Sequence, residues 1–506
     1  MSGKATDRSE TSSAIPEVER TRAPSNEPLW GLAALRAKRE AVREHQARFA
    51  AMRERWIANN RYYYDCVKRA LRFVIEPGRR VLNVRCENGF LLEAVEPARG
   101  VGVEVSEEMV DIARRRYPQF EFRQADPEDL ELRETFDYIL FDHVSDTVDV
   151  LRAFQRLRPA CEPHTRLLIY TYNHLWEPIN SVAERLRIKM PMPEQSWLSE
   201  RDLREVLHLA GFEWLRTYRL ILFPKWVPLL SEFMNRLLAR LPILNRLCMV
   251  NLLVARPVAV PRDPKQVSVS IVVPCKNERG NVESAVQRIP VLGRHTEILF
   301  CDDKSTDGTA EEVRRVQQKY PERDIKLLDG PGVCKALNVW TGFRAAQGDV
   351  LMILDADLTV MPEELPHFFE TIVQGKGEFI NGSRMVYPMQ KLAMKFTNMA
   401  GNKFFSMVFS YLLDQTLKDT LCGTKVLWRV DWKRIEPRLG SWGISDRWGD
   451  YELLFGAAKL HLKILDLPVH YQERIYGTTK MVRVFRNGLN MLRMCWAAFL
   501  KFKLGY

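Results

Sequence analysis

The sequence predicts an α/β protein built from two doubly wound domains. Three observations carry this. The chain has 506 residues, more than a single hydrophobic core usually organises. Short apolar runs alternate with helical stretches in two separate series. A proline-rich, charged segment divides the two series.

Residues 1–28 are polar, lack the apolar centre of a signal peptide and read as a disordered tail. Residues 29–255 form the first unit. Its lead-in, Leu29 to Ile75, is charged, alanine-rich and periodically apolar, which predicts helix. Strand-like runs follow at VLNV (81–84), GVGVEV (100–105), YILF (138–141) and RLLIYTY (166–172), with helical segments between them, the pattern of a parallel sheet. RLILF, an amphipathic helix LLSEFMNRLLARL and a closing VNLLVA complete the unit. Residues 256–266, RPVAVPRDPKQ, are the linker. Residues 267–485 repeat the alternation with VSVSIVVP, EILFCDD, IKLLD, VLMILDAD and EFINGS, and residues 486–506 form an amphipathic C-terminal helix.

Lys and Arg number 75 against 64 Asp and Glu, a net charge of +11 that suits phosphate-bearing partners or an anionic membrane surface. The nine cysteines are scattered and free of CxxC pairs, which predicts neither a disulfide framework nor a structural zinc site and fits a reducing cytoplasm. No apolar run reaches the roughly 18 to 20 residues that span a bilayer. Two stretches still mix Lys and Arg with aromatic and aliphatic residues, Lys391 to Leu413 and Asn487 to Tyr506. Both fit peripheral helices on the cytoplasmic membrane face. They equally fit helices packed on the domain, or on a second copy in an oligomer.

The chemistry concentrates in the second unit. In VLMILDADLTV an apolar strand runs directly into Asp355 and Asp357. Open α/β sheets bind ligands beyond the carboxyl ends of their strands. Two carboxylates there can hold Mg²⁺ or Mn²⁺, which prefer oxygen ligands and commonly bridge phosphates. Such an ion offsets the charge that develops when a nucleoside diphosphate departs. Two further strands end in Pro274 to Glu278 and in Asp302 to Thr309, so that carboxylates from three strand ends converge.

These residues resemble glycosyltransferase family 2, whose members have the GT-A fold. VVPCKNE is similar to the first family motif, CDDKSTDGT to the second and LDADLTV to the metal motif. The resemblance implies a UDP- or GDP-sugar donor, with Pro274, Glu278 and Asp303 contacting its base and ribose and Asp355 and Asp357 holding the metal. One departure is Gly330-Pro331-Gly332-Val333-Cys334-Lys335, where the family usually has a Gly-Lys-Gly-type loop. It leaves the donor role of Lys335 open.

Two acceptors make different demands. A sugar hydroxyl of a glycan needs a general base, whereas a lipid phosphate is already nucleophilic and needs cations beside it. DRWGDYELLFGAAK offers Asp450 and Glu452 at a helix start, EFINGSRM offers Arg384, and YQERIYGTTKM offers Arg474 and Lys480. The contexts GSR, DTLCGTKVLWR, D-x-E-L-L and R-x-x-G-x-x-K are similar to the polyprenyl- and dolichyl-phosphate sugar transferases of the family. That similarity implies that the Arg and Lys positions hold a polyprenyl phosphate, with Asp450 the base if the acceptor is instead a hydroxyl. Thr359 stands where many such enzymes have Gln. A nucleic-acid partner would leave these motifs unexplained and is not expected.

In the first unit, VLNV leads into Arg85 to Phe90, and the next strand ends in Glu104, an acidic residue placed to suit a ribose diol. VLNVRCENGFLLEAV, GVGVEVSEEMVDIARRRYP and FDYILFDHV resemble class I S-adenosylmethionine-dependent methyltransferases. By that resemblance Gly89 and Glu104 would meet the cofactor. The family pattern acid-x-Gly-x-Gly-x-Gly is broken here, because Asn83, Arg85 and Glu87 occupy its first three positions. Large side chains obstruct a turn that glycine would leave open. Two readings stay open: a methyltransferase that binds S-adenosylmethionine, possible coupling to the sugar product included, and a degenerate domain that docks the other half or recognises the acceptor. Asp142 and His143 lie just past the fourth strand.

Overall fold

The computed structural model describes residues 30–505 apart from 187, 191, 193–194, 389–395, 445, 475 and 477–483. The expected tail at 1–28 therefore lies outside the described residues. Helices Trp30–Phe49, Arg53–Asn59 and Arg61–Val74 lead into a sheet of seven strands: β1 Arg80–Val84, β2 Arg99–Glu104, β3 Glu121–Gln124, β4 Phe136–Phe141, β5 Cys161–Tyr172, β6 Phe212–Leu220 and β7 Val250–Pro257. Their order is β3-β2-β1-β4-β5-β7-β6. Val81, Leu82 and Val84 of β1 are all fully buried, as expected of strands covered by helices on both faces.

The second sheet comprises β8 Ser268–Cys275, β9 His295–Asp302, β10 Asp324–Asp329, β11 Val350–Ile353, β12 Phe379–Ser383, β13 Lys425–Trp428 and β14 Ile464–Pro468. Its order is β10-β9-β8-β11-β13-β12-β14. Both sheets are doubly wound as expected, and each carries one reversed strand. β7 runs antiparallel to β5 and β6, and β13 runs antiparallel to β11 and β12. Strand order reverses beside β1 and β4 in one sheet and beside β8 and β11 in the other. Beside such a reversal, in the crevice beyond the carboxyl ends of the strands, is where open α/β sheets bind ligands.

Two elements differ from their sequence patterns. The stretch LLSEFMNRLLARL is not one α-helix: it passes from α (Leu230–Glu232) to π (Phe233–Leu237) to 3-10 (Leu238–Arg240) geometry. β7 extends through Pro257, so the proline-rich segment starts inside a strand. The C-terminal helix Val484–Ala498 and its π turn Phe499–Lys503 bury Met491, Met494, Cys495, Ala498 and Phe502 against the second half. Leu489, Leu492, Trp496 and Leu500 remain exposed, as do Phe404 and Met407 of helix Phe396–Leu413. No described helix is long and apolar enough to cross a membrane.

The halves meet through buried polar contacts. Arg166 on β5 donates to both oxygens of Glu378 at 2.9 and 3.0 Å and to the His461 carbonyl at 3.0 Å. Arg256 on β7 donates to the Gly375 carbonyl at 2.8 Å. His461 in turn lies 3.2 Å from the Val74 carbonyl.

Candidate active site

Three loops leave the adjacent ends of β8, β9 and β11, and each contains a non-glycine residue in the left-handed region: Asn277 (φ 53°), Lys304 (φ 59°) and Leu358 (φ 52°). Such backbone persists only where its surroundings fix it. Here the loops brace one another. The Asn277 side chain accepts from the Thr306 amide at 2.8 Å, and the Glu278 amide donates to the Thr309 hydroxyl at 3.0 Å. Glu278, 3% exposed, accepts from Asn281 at 2.8 Å and stands 3.7 Å from Arg474. Asp303 accepts from the Gly332 amide at 2.7 Å and pairs with Lys276 at 3.1 Å. Pro274 lies on β8 in register with Cys301.

At the end of β11 each carboxylate faces a cation. Lys335, which opens helix Lys335–Ala345, is 2.5 Å from Asp355. Arg474 donates to Asp357, whose other oxygen accepts from the Thr359 amide at 3.2 Å and hydroxyl at 2.9 Å. Burial pushes Asp355 up, but the Lys335 ammonium, with Lys425 and Arg384 beyond it, holds the carboxyl below the usual range. Gly423 closes against this pair: a Cβ there would stand 2.1 Å from an Asp355 oxygen and 2.7 Å from the Lys335 nitrogen. Two hard oxygen donors at one strand end fit a Mg²⁺ or Mn²⁺ ion that completes its shell with phosphate oxygens.

The residues expected on the acceptor side divide. Asp450 pairs at 3.0 Å with Lys425, which is fully buried. Arg384 makes a bidentate pair with the fully buried Asp419 at 2.7 and 2.9 Å and lies 5.1 Å from the Tyr471 ring. Glu452 accepts from the Gly440 amide at 2.7 Å. Arg474 joins Asp357 at the end of β11, and Lys480 lies outside the described residues. Gly423 and Lys425 were not singled out by sequence reasoning, although both lie in the DTLCGTKVLWR segment.

The other crevice is filled by the chain itself. Arg85 (φ 59°), Glu87 (φ 50°) and His143 (φ 49°) are all left-handed and buried. Glu104, the expected ribose ligand, accepts from the Glu87 amide at 2.9 Å and the Val105 amide at 2.7 Å, and Arg85 stands 3.8 Å away. Glu87 accepts from Arg53 Nε at 2.8 Å and lies 3.1 Å from His143. Gly89 keeps φ at 81°, and a Cβ there would stand 2.8 Å from Phe122. With the diol acceptor engaged by backbone and the loop filled by large side chains, these residues do not fit S-adenosylmethionine.

Comparison with known proteins matches residues 270–435 to the glycosyl transferase family 2 model and residues 54–217 to a methyltransferase domain model. A dolichol-phosphate mannosyltransferase of Pyrococcus furiosus is 39% identical over 120 residues, covering 23% of this chain and 33% of that protein. An undecaprenyl-phosphate 4-deoxy-4-formamido-L-arabinose transferase of Edwardsiella ictaluri is 32% identical over 111 residues, covering 21% and 34%. The chain thus spans about a third of the length of these curated relatives. A solved glucosyl-3-phosphoglycerate synthase from Mycobacterium tuberculosis, in complex with Mn²⁺, uridine diphosphate and glucosyl-3-phosphoglycerate, has 15% identity and a TM-score of 0.35, covering 47% of this chain and 80% of that one.

Proposed function

We propose that this chain, whose residues 270–435 match the glycosyl transferase family 2 model and whose residues 54–217 match a methyltransferase domain model, carries out metal-dependent transfer of a sugar from a UDP- or GDP-sugar to a polyprenyl phosphate. One observation carries this: at the end of β11, Asp355 faces Lys335 and Asp357 faces Arg474. The carboxylates are what a metal bound to a donor diphosphate requires, and the cations are what two phosphates brought side by side require. When bound, the metal supplies Lewis-acid stabilisation of the departing nucleoside diphosphate.

The chain's own residues do the rest. Glu278 and Asp303 orient base and ribose from loops that brace each other. Arg474 and Lys335 turn from the carboxylates towards phosphate oxygens, and Lys480 of the same segment as Arg474 adds a charge. Arg384 acts from its pair with Asp419. Asp450 is held by Lys425, which favours an acceptor that needs no base over a glycan hydroxyl. Exposed Phe404, Met407, Leu492 and Trp496 give the enzyme a peripheral seat on the cytoplasmic membrane face. The methyltransferase domain serves as a docked partner domain and transfers no methyl group.

The test is transfer from UDP- and GDP-sugars with Mn²⁺ to polyprenyl phosphate, read by mass spectrometry. Asp357→Asn is expected to cut turnover at least about a hundredfold. Transfer to a glycan hydroxyl with polyprenyl phosphate inert would replace the acceptor. A protein that neither binds nor hydrolyses any donor would remove the enzyme. Calorimetry with S-adenosylmethionine on the full chain is expected to show no binding, and tight binding would restore methyl transfer.

A further inference from the structure

The crevice of the methyltransferase domain carries a charge imbalance. Around the ends of β1, β2 and β4, the carboxylates of Glu87, Glu104, Asp142 and Asp146 are each at most 2% exposed. Two buried guanidiniums face them. Arg53 pairs with Glu87, and Arg85 lies 3.3 Å from Asp146 and 3.8 Å from Glu104. Among the described residues, four carboxylates against two guanidiniums leave two negative charges beside His143. Charge buried without compensation is strongly unfavourable, so something positive belongs there.

Three of these groups meet at one spot. A ligand atom from each of Glu87, Asp142 and His143 lies within 4.8 Å of the other two. Glu87 Oε1 and His143 Nε2 are both buried, stand 3.1 Å apart and have no partner outside this cluster. The remaining atoms are already engaged: Glu87 Oε2 accepts from Arg53 Nε at 2.8 Å, and Asp142 Oδ1 accepts from the His143 amide at 2.8 Å. Asp142 Oδ2 lies 3.7 Å from His143 Nε2. The side chains are aimed by strained backbone, since Glu87 and His143 are both left-handed. His143 also lines a cavity of about 110 Å³ together with Tyr63, Tyr64 and Tyr172, which offers a way in and room for a further ligand.

We propose that Glu87, Asp142 and His143 bind one divalent transition-metal ion in the crevice where a methyltransferase would hold its cofactor. One imidazole nitrogen and two carboxylate oxygens suit Zn²⁺ or Mn²⁺. Two positive charges balance the buried excess, and Arg53 orients Glu87 through its second oxygen, as the outer partners of metal ligands do. The site is separate from Asp355 and Asp357 and stands or falls independently of sugar transfer.

The experiment uses the full chain carrying Asp355→Asn and Asp357→Asn, which removes the other divalent site. After chelator treatment it is titrated with ZnCl₂ or MnCl₂ without nucleotide, and bound metal is counted by mass spectrometry. A single ion per chain is expected, with a raised melting temperature. Adding Glu87→Gln or His143→Gln abolishes binding, and Arg53→Met weakens it by roughly 10- to 100-fold. Should the Gln variants fail to fold, Mn²⁺ spin-echo spectroscopy on the double Asn protein reads the imidazole nitrogen with the site unchanged. A metal-free protein, or Mn²⁺ without imidazole modulation, overturns the proposal and assigns the two charges to protons on His143 and Asp142.

Discussion

Gly423 controls where Asp355 can stand. Because a Cβ at that position would meet an Asp355 oxygen at 2.1 Å, Gly423→Ala must push the carboxylate, the Lys335 ammonium or the loop aside. Misplacement on the scale of an ångström costs about a hundredfold in rate. Turnover with donor is therefore expected to fall about a hundredfold while the melting temperature changes little, and unchanged turnover would show that Asp355 has room. Asp355, Asp357, Glu278 and Asp303 were legible in the sequence, because carboxylates at the ends of apolar strands are chemically distinctive. Gly423 was not, since its contribution is the absence of an atom. Nor could sequence separate a cation open to solvent from one already engaged: Arg384 finds Asp419, 35 residues further on, only in the folded chain.

Helix Asp450–Lys459 carries Asp450 to Lys425, and its own start depends on Asp446. One Asp446 oxygen accepts from the Trp448 and Gly449 amides at 3.0 and 3.1 Å, and the other from Tyr451 and Glu452 at 2.8 and 3.0 Å. The amides of Gly449, Tyr451 and Glu452 are among those that a helix start leaves without partners. Asp446→Ala is expected to cost about 1–2 kcal/mol in stability by denaturant unfolding, with Asp446→Asn between it and wild type; an Ala variant as stable as wild type would mean that water caps the helix equally well. Elements of this kind were partly readable. The longer apolar runs announced their strands, but β3 (EFRQ) and β13 (KVLW) hold fewer apolar residues than even the four-residue β11 (VLMI) and show no such run. The stretch from Leu230 to Arg240 has helical spacing, yet Asn235 breaks it. Its side-chain Oδ1 accepts from the Leu222 and Phe223 amides at 2.7 and 2.9 Å, and its Nδ2 donates to the Phe223 carbonyl at 2.7 Å. A side chain tied so firmly to the preceding loop pulls the helix out of register.

At the scale of the molecule, the halves form one body through charges that read as ordinary surface residues in the sequence. Arg166 and Glu378 are 212 residues apart, so no local pattern could join them. Removing one partner of a buried pair typically costs about 3–5 kcal/mol. The wild-type chain is expected to unfold in one transition, and Arg166→Met should lower its melting temperature and split it into two, which calorimetry would resolve; one undisturbed transition in the variant would show that Arg256, 3.5 Å from Glu378, suffices. The same interface sets a pH dependence. Asp431 is pushed up to about 6, first by burial and then by the charge of Glu378, against the pull of Arg434 and Arg166. An unfolded chain releases an aspartic proton near 3.9, so the folded state holds the proton more tightly. The resulting stability is fully present below about pH 4 and is lost as pH rises through 6, a change of about 3 kcal/mol across that window. Asp419 and Asp137, held down to about 2 by their arginine partners despite burial, change stability only below that window. Asp431→Asn is consequently expected to match wild type at pH 4 and to melt higher at pH 7, and a difference in melting temperature that does not grow between those values would sink the assignment.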